Sequence, residues 1–189
     1  MDYIFGSFYI LKNKLWFLDF FKTTPRIEPK LPWYRQYGYF YSESNQIIDN
    51  LHLGSSFNAY TISELSNKKI NVVINVTEEI DNFHENNLVM TYYRFPIKDN
   101  NEDDISEILE QTYELIDEHL AKGDGILVHC YMGASRSASV IIYYLMKKLG
   151  WNYEQALSHV SGKRKLVNLS HKFDSILRQK NRELQNLLP

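Results

Sequence analysis

"GILVHCYMGASRSASVIIYYLM", Gly125 to Met146, changes character twice within twenty-two residues. Gly125 to His129 is a short apolar run that suits a buried strand. From Ser135 to Leu149 the apolar residues recur at helical spacing, and Gly150 stops the pattern. Between the two lies a loop with a glycine and the only cysteine of the chain. A strand feeding a helix through a tight loop is half of an α/β unit, and such units bind ligands at the carboxyl ends of parallel strands.

The flanking sequence repeats that alternation. "QIIDNLHLGS" (from Gln46) alternates apolar and polar residues as a strand does, "NAYTISELSNKK" reads as a short helix, and "INVVINVT" (Ile70 to Thr77) is a β-branched buried strand. "LVMTYYRFPI" (Leu88 to Ile97) is a further strand, ended by Pro96 and the polar loop "KDNNEDD". Ile105, Ile108, Leu109, Tyr113, Ile116 and Leu120 then share one helical face that stops at Gly123. Two more helices, about Tyr153 to Gly162 and Ser170 to Leu187, close the chain. The expectation is an α/β domain over residues 46–189: a mostly parallel sheet of about five strands flanked by helices.

Residues 1–45 read differently. Ile4, Phe8, Leu11, Leu15 and Leu18 form one helical stripe, broadened by Phe5, Phe17, Phe20 and Phe21. Lys12 and Lys14 break the apolar run, so the segment does not fit a signal peptide. Pro25, Pro29 and Pro32 then give an extended arm, followed by the aromatic cluster "WYRQYGYFY" (Trp33 to Tyr41), expected to lie against the body or a second subunit. An apolar helix with an extended arm suits exchange between two copies, so a homodimer through this segment is expected. Packing on its own domain is the alternative, and the stripe carries too few basic residues to suit interfacial membrane contact.

Bulk composition excludes several classes. The 189 residues carry a formal net charge of −2, which provides no global positive field for nucleic acid or an anionic membrane. A single cysteine rules out a disulfide framework and a CxxC pair, which fits a reducing, cytoplasmic setting. The six histidines show no metal-ligand spacing, and no metal or cofactor is expected.

The loop itself carries the chemistry. Backbone N–H groups at a strand-to-helix turn converge on one point where the helix dipole is positive, which makes an anion cradle. Gly133 lets the backbone curl without a Cβ, and Arg136 is spaced to bring a planar fork over the same point. An ordinary thiol is only about 3% thiolate at pH 7, whereas a cysteine at a helix N-terminus beside a cation is largely ionised. Cys130 in this cradle is a nucleophile aimed at phosphorus. His129 fixes the loop by hydrogen bonds, and the Ser137 hydroxyl stabilises the thiolate when it leaves again.

"HCYMGASRS" resembles the signature of the cysteine-based protein phosphatases, and "GASRSAS" followed by "IIYYLM" is most similar to their dual-specificity branch. Five fixed positions make a chance match in a chain of this length rarer than about 1 in 10⁴. The resemblance also covers "IIDNLHLGSSFNAY", "INVVINVT", "YYRFPIKDN" and the later helices, from about Gln46 to Leu187. It implies a phosphocysteine mechanism in which Cys130, Arg136, Ser137 and His129 act with a general acid from a loop about thirty residues upstream. Asp99 stands at that place. Asp103 and Asp104 are rivals whose more ordinary role is to cap the next helix.

The resemblance implies phosphoprotein substrates, with phosphotyrosine and phosphoserine/threonine both accepted. Relatives that prefer inositol lipids carry basic residues inside the loop, whereas Tyr131, Met132, Ala134 and Ser135 are uncharged. Tyr131 and Met132 line the mouth or pack the loop. In "GKRKL" (Gly162 to Leu166), Arg164 and Lys165 either contact a second substrate phosphate, as in some relatives, or form a solvated charged face. The relatives' Pro-Asn pair that braces the loop is replaced by Leu169 and Ser170, so the bracing must differ. A phosphoinositide or RNA 5′-triphosphate phosphatase, and a phosphoprotein-binding module, remain the alternatives.

Overall fold

The computed structural model describes residues 38–99 and 104–186. The apolar helix of residues 1–21, the proline arm, Trp33 and Asp103 lie outside the described residues, and so do residues 1–37 of the 45-residue segment expected to self-associate.

Five strands, β1 (Asn45–Ile48), β2 (Leu51–Gly54), β3 (Ile70–Asn75), β4 (Thr91–Arg94) and β5 (Gly125–His129), form one sheet in the order β1-β2-β5-β3-β4. β5 lies at the centre, parallel to β2 and β3; β4 is parallel to β3, and only β1 is antiparallel. The stretch from Gln46 to Ser55, read as one strand, is a hairpin instead. Asn50 adopts φ +61°, a left-handed conformation that asparagine tolerates, and reverses the chain after Ile48.

The alternation along β5 assigns the two faces. Ile126 and Val128 point into the main core, whereas Leu127 joins Ala59, Leu65 and Val73 on the other side. That second face is covered by α1 (Ser56–Tyr60) and α2 (Ile62–Asn67). The expected single helix there breaks at Thr61, whose ψ of 87° leaves the helical region and whose hydroxyl donates back to Phe57 O at 2.7 Å.

The main face carries α3 (Ser106–Ala121), α4 (Arg136–Leu149), α5 (Tyr153–Lys163) and α6 (His171–Asn186). Every α4 residue from Arg136 to Met146 is buried, because this helix packs on β5 and β2 and is itself covered by α3, α5 and α6. It ends at Gly150, in the left-handed conformation with φ +67°. Truncating one of its core side chains, such as Ile141→Ala, should cost about 3 kcal/mol.

The central position of β5 and the all-round burial of α4 clamp both ends of the loop between them. The residues after β2, β3 and β4 emerge at the same edge of the sheet and surround that loop. The aromatic cluster behaves as expected in its described part. Phe40 is buried, its ring lies 5.5 Å from that of Tyr131, and its carbonyl accepts from Ser55 Oγ at 2.8 Å.

Candidate active site

The carbonyl oxygens from Cys130 to Ser135 all have partners outside the loop bowl. Cys130 O meets His129 Nδ1 at 3.3 Å, and Tyr131 O accepts from Ser56 N at 3.0 Å. Arg164 donates to the next two, from Nη2 to Met132 O and from Nε to Gly133 O, both at 2.9 Å. Ala134 O accepts from Asn168 N at 2.9 Å, and Ser135 O from Ser139 N at 2.8 Å. In a trans peptide the N–H points opposite to the C=O, so carbonyls held on the outside turn the following N–H groups toward the inside. Gly133 makes this curl feasible: its φ is +69°, and a Cβ there would stand 2.4 Å from Gly54 O.

Cys130 Sγ accepts from Gly133 N at 3.2 Å and from Ser137 Oγ at 3.2 Å. Burial by itself pushes the thiol up; the Arg136 charge and the Ser137 hydrogen bonds outweigh it, so the thiol lies below its ordinary value. His129 is neutral near pH 7, because burial brings it down to about 4.

Arg136 is 0% exposed, and Glu79 holds it with two hydrogen bonds of 2.7 Å, one on each Nη. Nη1 also donates to Ile97 O at 3.0 Å. Nε has no hydrogen-bond partner, and Asp99 Oδ2 lies 3.9 Å from it. Burial disfavours the guanidinium charge, but Asp99, Glu79 and the cysteine outweigh it, and Arg136 stays charged. The side-on edge of the guanidinium is therefore the one left for an oxyanion. The Asp99 side chain, 3% exposed, has folded in over the same site rather than out into solvent.

Glu79 was not singled out from the sequence. Its placement depends on Asn75 at the end of β3, whose Nδ2 donates to Ile80 O at 2.8 Å and whose Oδ1 accepts from Thr77 N and Oγ1 at 3.1 and 2.7 Å. This Asx-type turn carries "NVTEE" across the carboxyl end of the sheet. The usable signal was a carboxylate just past a strand adjacent to β5.

Arg164 differs from the expectation. It is 1% exposed, and all three guanidinium nitrogens are engaged, the third donating to Asn45 Oδ1 at 3.0 Å. No face remains for a second substrate phosphate. Lys165 is exposed, and it lines a cavity of about 520 Å³ with Glu154, Ser158 and Asn168. Tyr131 and Met132 are buried and pack with Phe40 and Leu166 on the outside of the loop. Asp104 accepts from Ser106 N at 2.9 Å, but it stands one residue before the N-cap Ile105 and so supports the helix start without being the expected cap. In place of a Pro-Asn brace, the Asn168 amide holds Ala134 O and the Ser170 amide donates to Ser135 Oγ at 3.2 Å.

The sequence profile of the dual specificity phosphatase catalytic domain matches residues 51–183. The chain belongs to the dual-specificity phosphatase family. This dual-specificity phosphatase domain is similar to protein phosphatase Slingshot homolog 3 of Mus musculus, with 37% identity over 130 residues, covering 69% of this chain and 20% of the relative. It is similar to dual specificity protein phosphatase 9 of Homo sapiens, with 38% identity over 129 residues, 68% of this chain and 33% of the relative. The chain thus matches only a minor part of these curated relatives. Among solved structures, a variant of human DUSP28 superposes with a TM-score of 0.73 at 25% identity, covering 78% of this chain and 99% of that one. Among the described residues no helix is long and apolar enough to cross a membrane, and no group of His, Cys, Asp and Glu is placed to hold a metal ion.

Proposed function

We propose that this chain hydrolyses phosphotyrosine and phosphoserine/threonine in proteins through a phosphocysteine intermediate. One observation carries the reading. A thiol that accepts two hydrogen bonds lies at the start of a loop braced from outside, near an arginine whose Nε has no partner and a carboxylate 3.9 Å from that nitrogen.

The Arg136 edge and the inward N–H groups take the phosphoryl oxygens and place phosphorus over Sγ. The Cys130 thiolate forms the S–P bond as the P–O bond to the substrate breaks. Asp99 gives its proton to the departing oxygen. In the second step the Asp99 carboxylate takes a proton from water, the water oxygen bonds to phosphorus, and the S–P bond breaks to release inorganic phosphate. Ser137 Oγ stabilises the thiolate that leaves. The Asp99 charge pushes the Cys130 thiol up, so two ionised groups are disfavoured together, which suits a thiolate facing a proton donor.

Protein substrates are favoured because the side chains between Cys130 and Arg136 are uncharged. The N-terminal 45 residues are assigned to self-association as a homodimer, and the enzyme to a reducing intracellular compartment that keeps Cys130 a thiol. Light scattering on the full chain and on a truncation from Tyr41 tests the dimer, and equal monomeric masses refute it.

The decisive assay measures phosphate release by wild type, Cys130→Ser and Asp99→Ala on phosphotyrosine peptide, phosphothreonine peptide, phosphoinositide and 5′-triphosphate RNA. Turnover of both peptides, silence of Cys130→Ser and a roughly 10²- to 10⁴-fold loss in Asp99→Ala are expected. Preference for lipid or RNA by orders of magnitude overturns the substrate class, and silence of reduced wild type leaves a phosphoprotein-binding module.

A further inference from the structure

Arg164 and the cysteine sulfur are attached to opposite ends of one peptide unit. Arg164 Nη2 donates to Met132 O at 2.9 Å, and the N–H of that same peptide, on Gly133, donates to Cys130 Sγ at 3.2 Å. Arg164 Nε repeats the contact one residue on, at Gly133 O, which turns the Ala134 N–H in the same sense. The fit is close, since a Cβ on Gly133 would lie 2.9 Å from Arg164 Nε.

Such an arginine is costly to bury. It forms no ion pair with a carboxylate among the described residues, and its third nitrogen is satisfied by the neutral amide of Asn45. Desolvation brings it down to about 10, and of the charges that oppose this, Cys130 is the largest. A buried cation used only for packing would be replaceable by an apolar residue at a gain in stability. Two carbonyls and the thiolate are the groups that give it a reason to be there.

We propose that Arg164 is a positioning residue for the phosphate loop: by holding the Met132 and Gly133 carbonyls outward it aims the next two N–H groups inward and sets the reactivity of Cys130. This rests on reading Cys130 as the nucleophile. Arg164 does not touch substrate. A hydrogen bond at the carbonyl end also polarises the peptide and strengthens the bond its N–H makes to sulfur. One side chain acts in this way on two consecutive peptides, a geometry that the arginine fork provides and a lysine ammonium does not.

The test uses the full chain and two substitutions, Arg164→Met and Arg164→Lys. The first readout is the pH dependence of Cys130 alkylation by iodoacetamide, which needs no phosphatase activity. The second is kcat and KM on p-nitrophenyl phosphate. In Arg164→Met the alkylation midpoint should rise by about one pH unit and kcat should fall about tenfold or more. Arg164→Lys keeps the charge and loses the double grip, so it should fall between wild type and Arg164→Met in both readouts. A merely structural arginine would lower the folded fraction and leave the midpoint of the folded molecules in place.

Arg164→Met that melts cooperatively with wild-type midpoint and kcat overturns the proposal. If that variant does not fold, Arg164→Lys decides alone, and its equality with wild type in both readouts overturns the positioning role. Wild type that is alkylated only in the ordinary thiol range removes the nucleophile reading itself, an outcome distinct from either.

Discussion

Glu79 grips the far edge of the Arg136 guanidinium through two hydrogen bonds of 2.7 Å, which leaves Nε on the near edge with no hydrogen-bond partner. The pair fixes the arginine's rotation as well as its charge. Glu79→Gln keeps the size and replaces one acceptor by an NH₂ that faces another donor. Because Glu79 is 23% exposed, the loss of stability should fall at the low end for a broken buried pair, about 3 kcal/mol or less. Measured on phosphotyrosine peptide, kcat/KM should drop about 10- to 100-fold, mostly through KM, since the mispositioned fork weakens phosphate binding before it affects chemistry. An unchanged KM would show that Arg136 keeps its orientation without Glu79.

Ser137 Oγ donates to the cysteine sulfur at 3.2 Å, and a hydrogen bond of this kind matters most when the sulfur carries charge. Sulfur regains that charge when the phosphocysteine breaks down. Ser137→Ala should slow breakdown about tenfold, so that release of the leaving group, followed as p-nitrophenol from p-nitrophenyl phosphate, shows a burst followed by a slow steady state. A uniform slowing without a burst would place the effect of the hydroxyl on the first step instead.

The α/β alternation, the segments that form the parallel strands and the long helices α3 to α6 were legible, because periodicity reports which face of an element is buried. The hairpin at Asn50 and the break at Thr61 were not, since both depend on single-residue backbone conformations that an apolar pattern does not encode. In the site, Cys130, Arg136 and Ser137 stand within one contiguous loop and helix start, where spacing alone brings them together. Glu79 and Asn168 arrive from other segments: the strand order places Glu79, just past β3, beside the loop, and Asn168 comes from the connection between α5 and α6. Arg164 was visible as a basic residue in a basic run, but a run shows charge without direction. Burial sets aside both readings offered for it, a second-phosphate contact and a solvated charged face, because its guanidinium donates to loop carbonyls instead.

Gly133 is the position where any side chain should be excluded. Alanine there would combine a left-handed φ of +69° with a Cβ 2.4 Å from the backbone oxygen of Gly54, and backbone cannot swing away as a side chain can. The left-handed conformation alone costs about 1–2 kcal/mol. Gly133→Ala should therefore lower the melting temperature and abolish phosphate release at saturating substrate, while Gly162→Ala, where nothing lies within 4 Å, should leave turnover unchanged. Turnover by Gly133→Ala within tenfold of wild type would mean that the loop reaches its bowl by another curl.

The neutral, buried His129 gives the fold a defined acid sensitivity. Its folded-state value of about 4 lies below the 6.5 of an exposed imidazole, because burial penalises the charged ring and Arg136 repels it. Between pH 6.5 and 4 the unfolded chain therefore binds a proton that the folded chain does not, and stability falls as pH falls through that window. The full effect is as much as about 3 kcal/mol. His52, also lowered by burial and by Lys68, adds in the same direction, whereas Glu110, held down near 2, loses its contribution only below about pH 4.5. Urea unfolding at pH 7.0 and 5.0 reads the sum, and the same pair of measurements on His129→Asn isolates the His129 share. If His129→Asn loses as much stability between the two pH values as wild type does, the folded imidazole takes up its proton over the same range as the unfolded one, and burial does not keep it neutral.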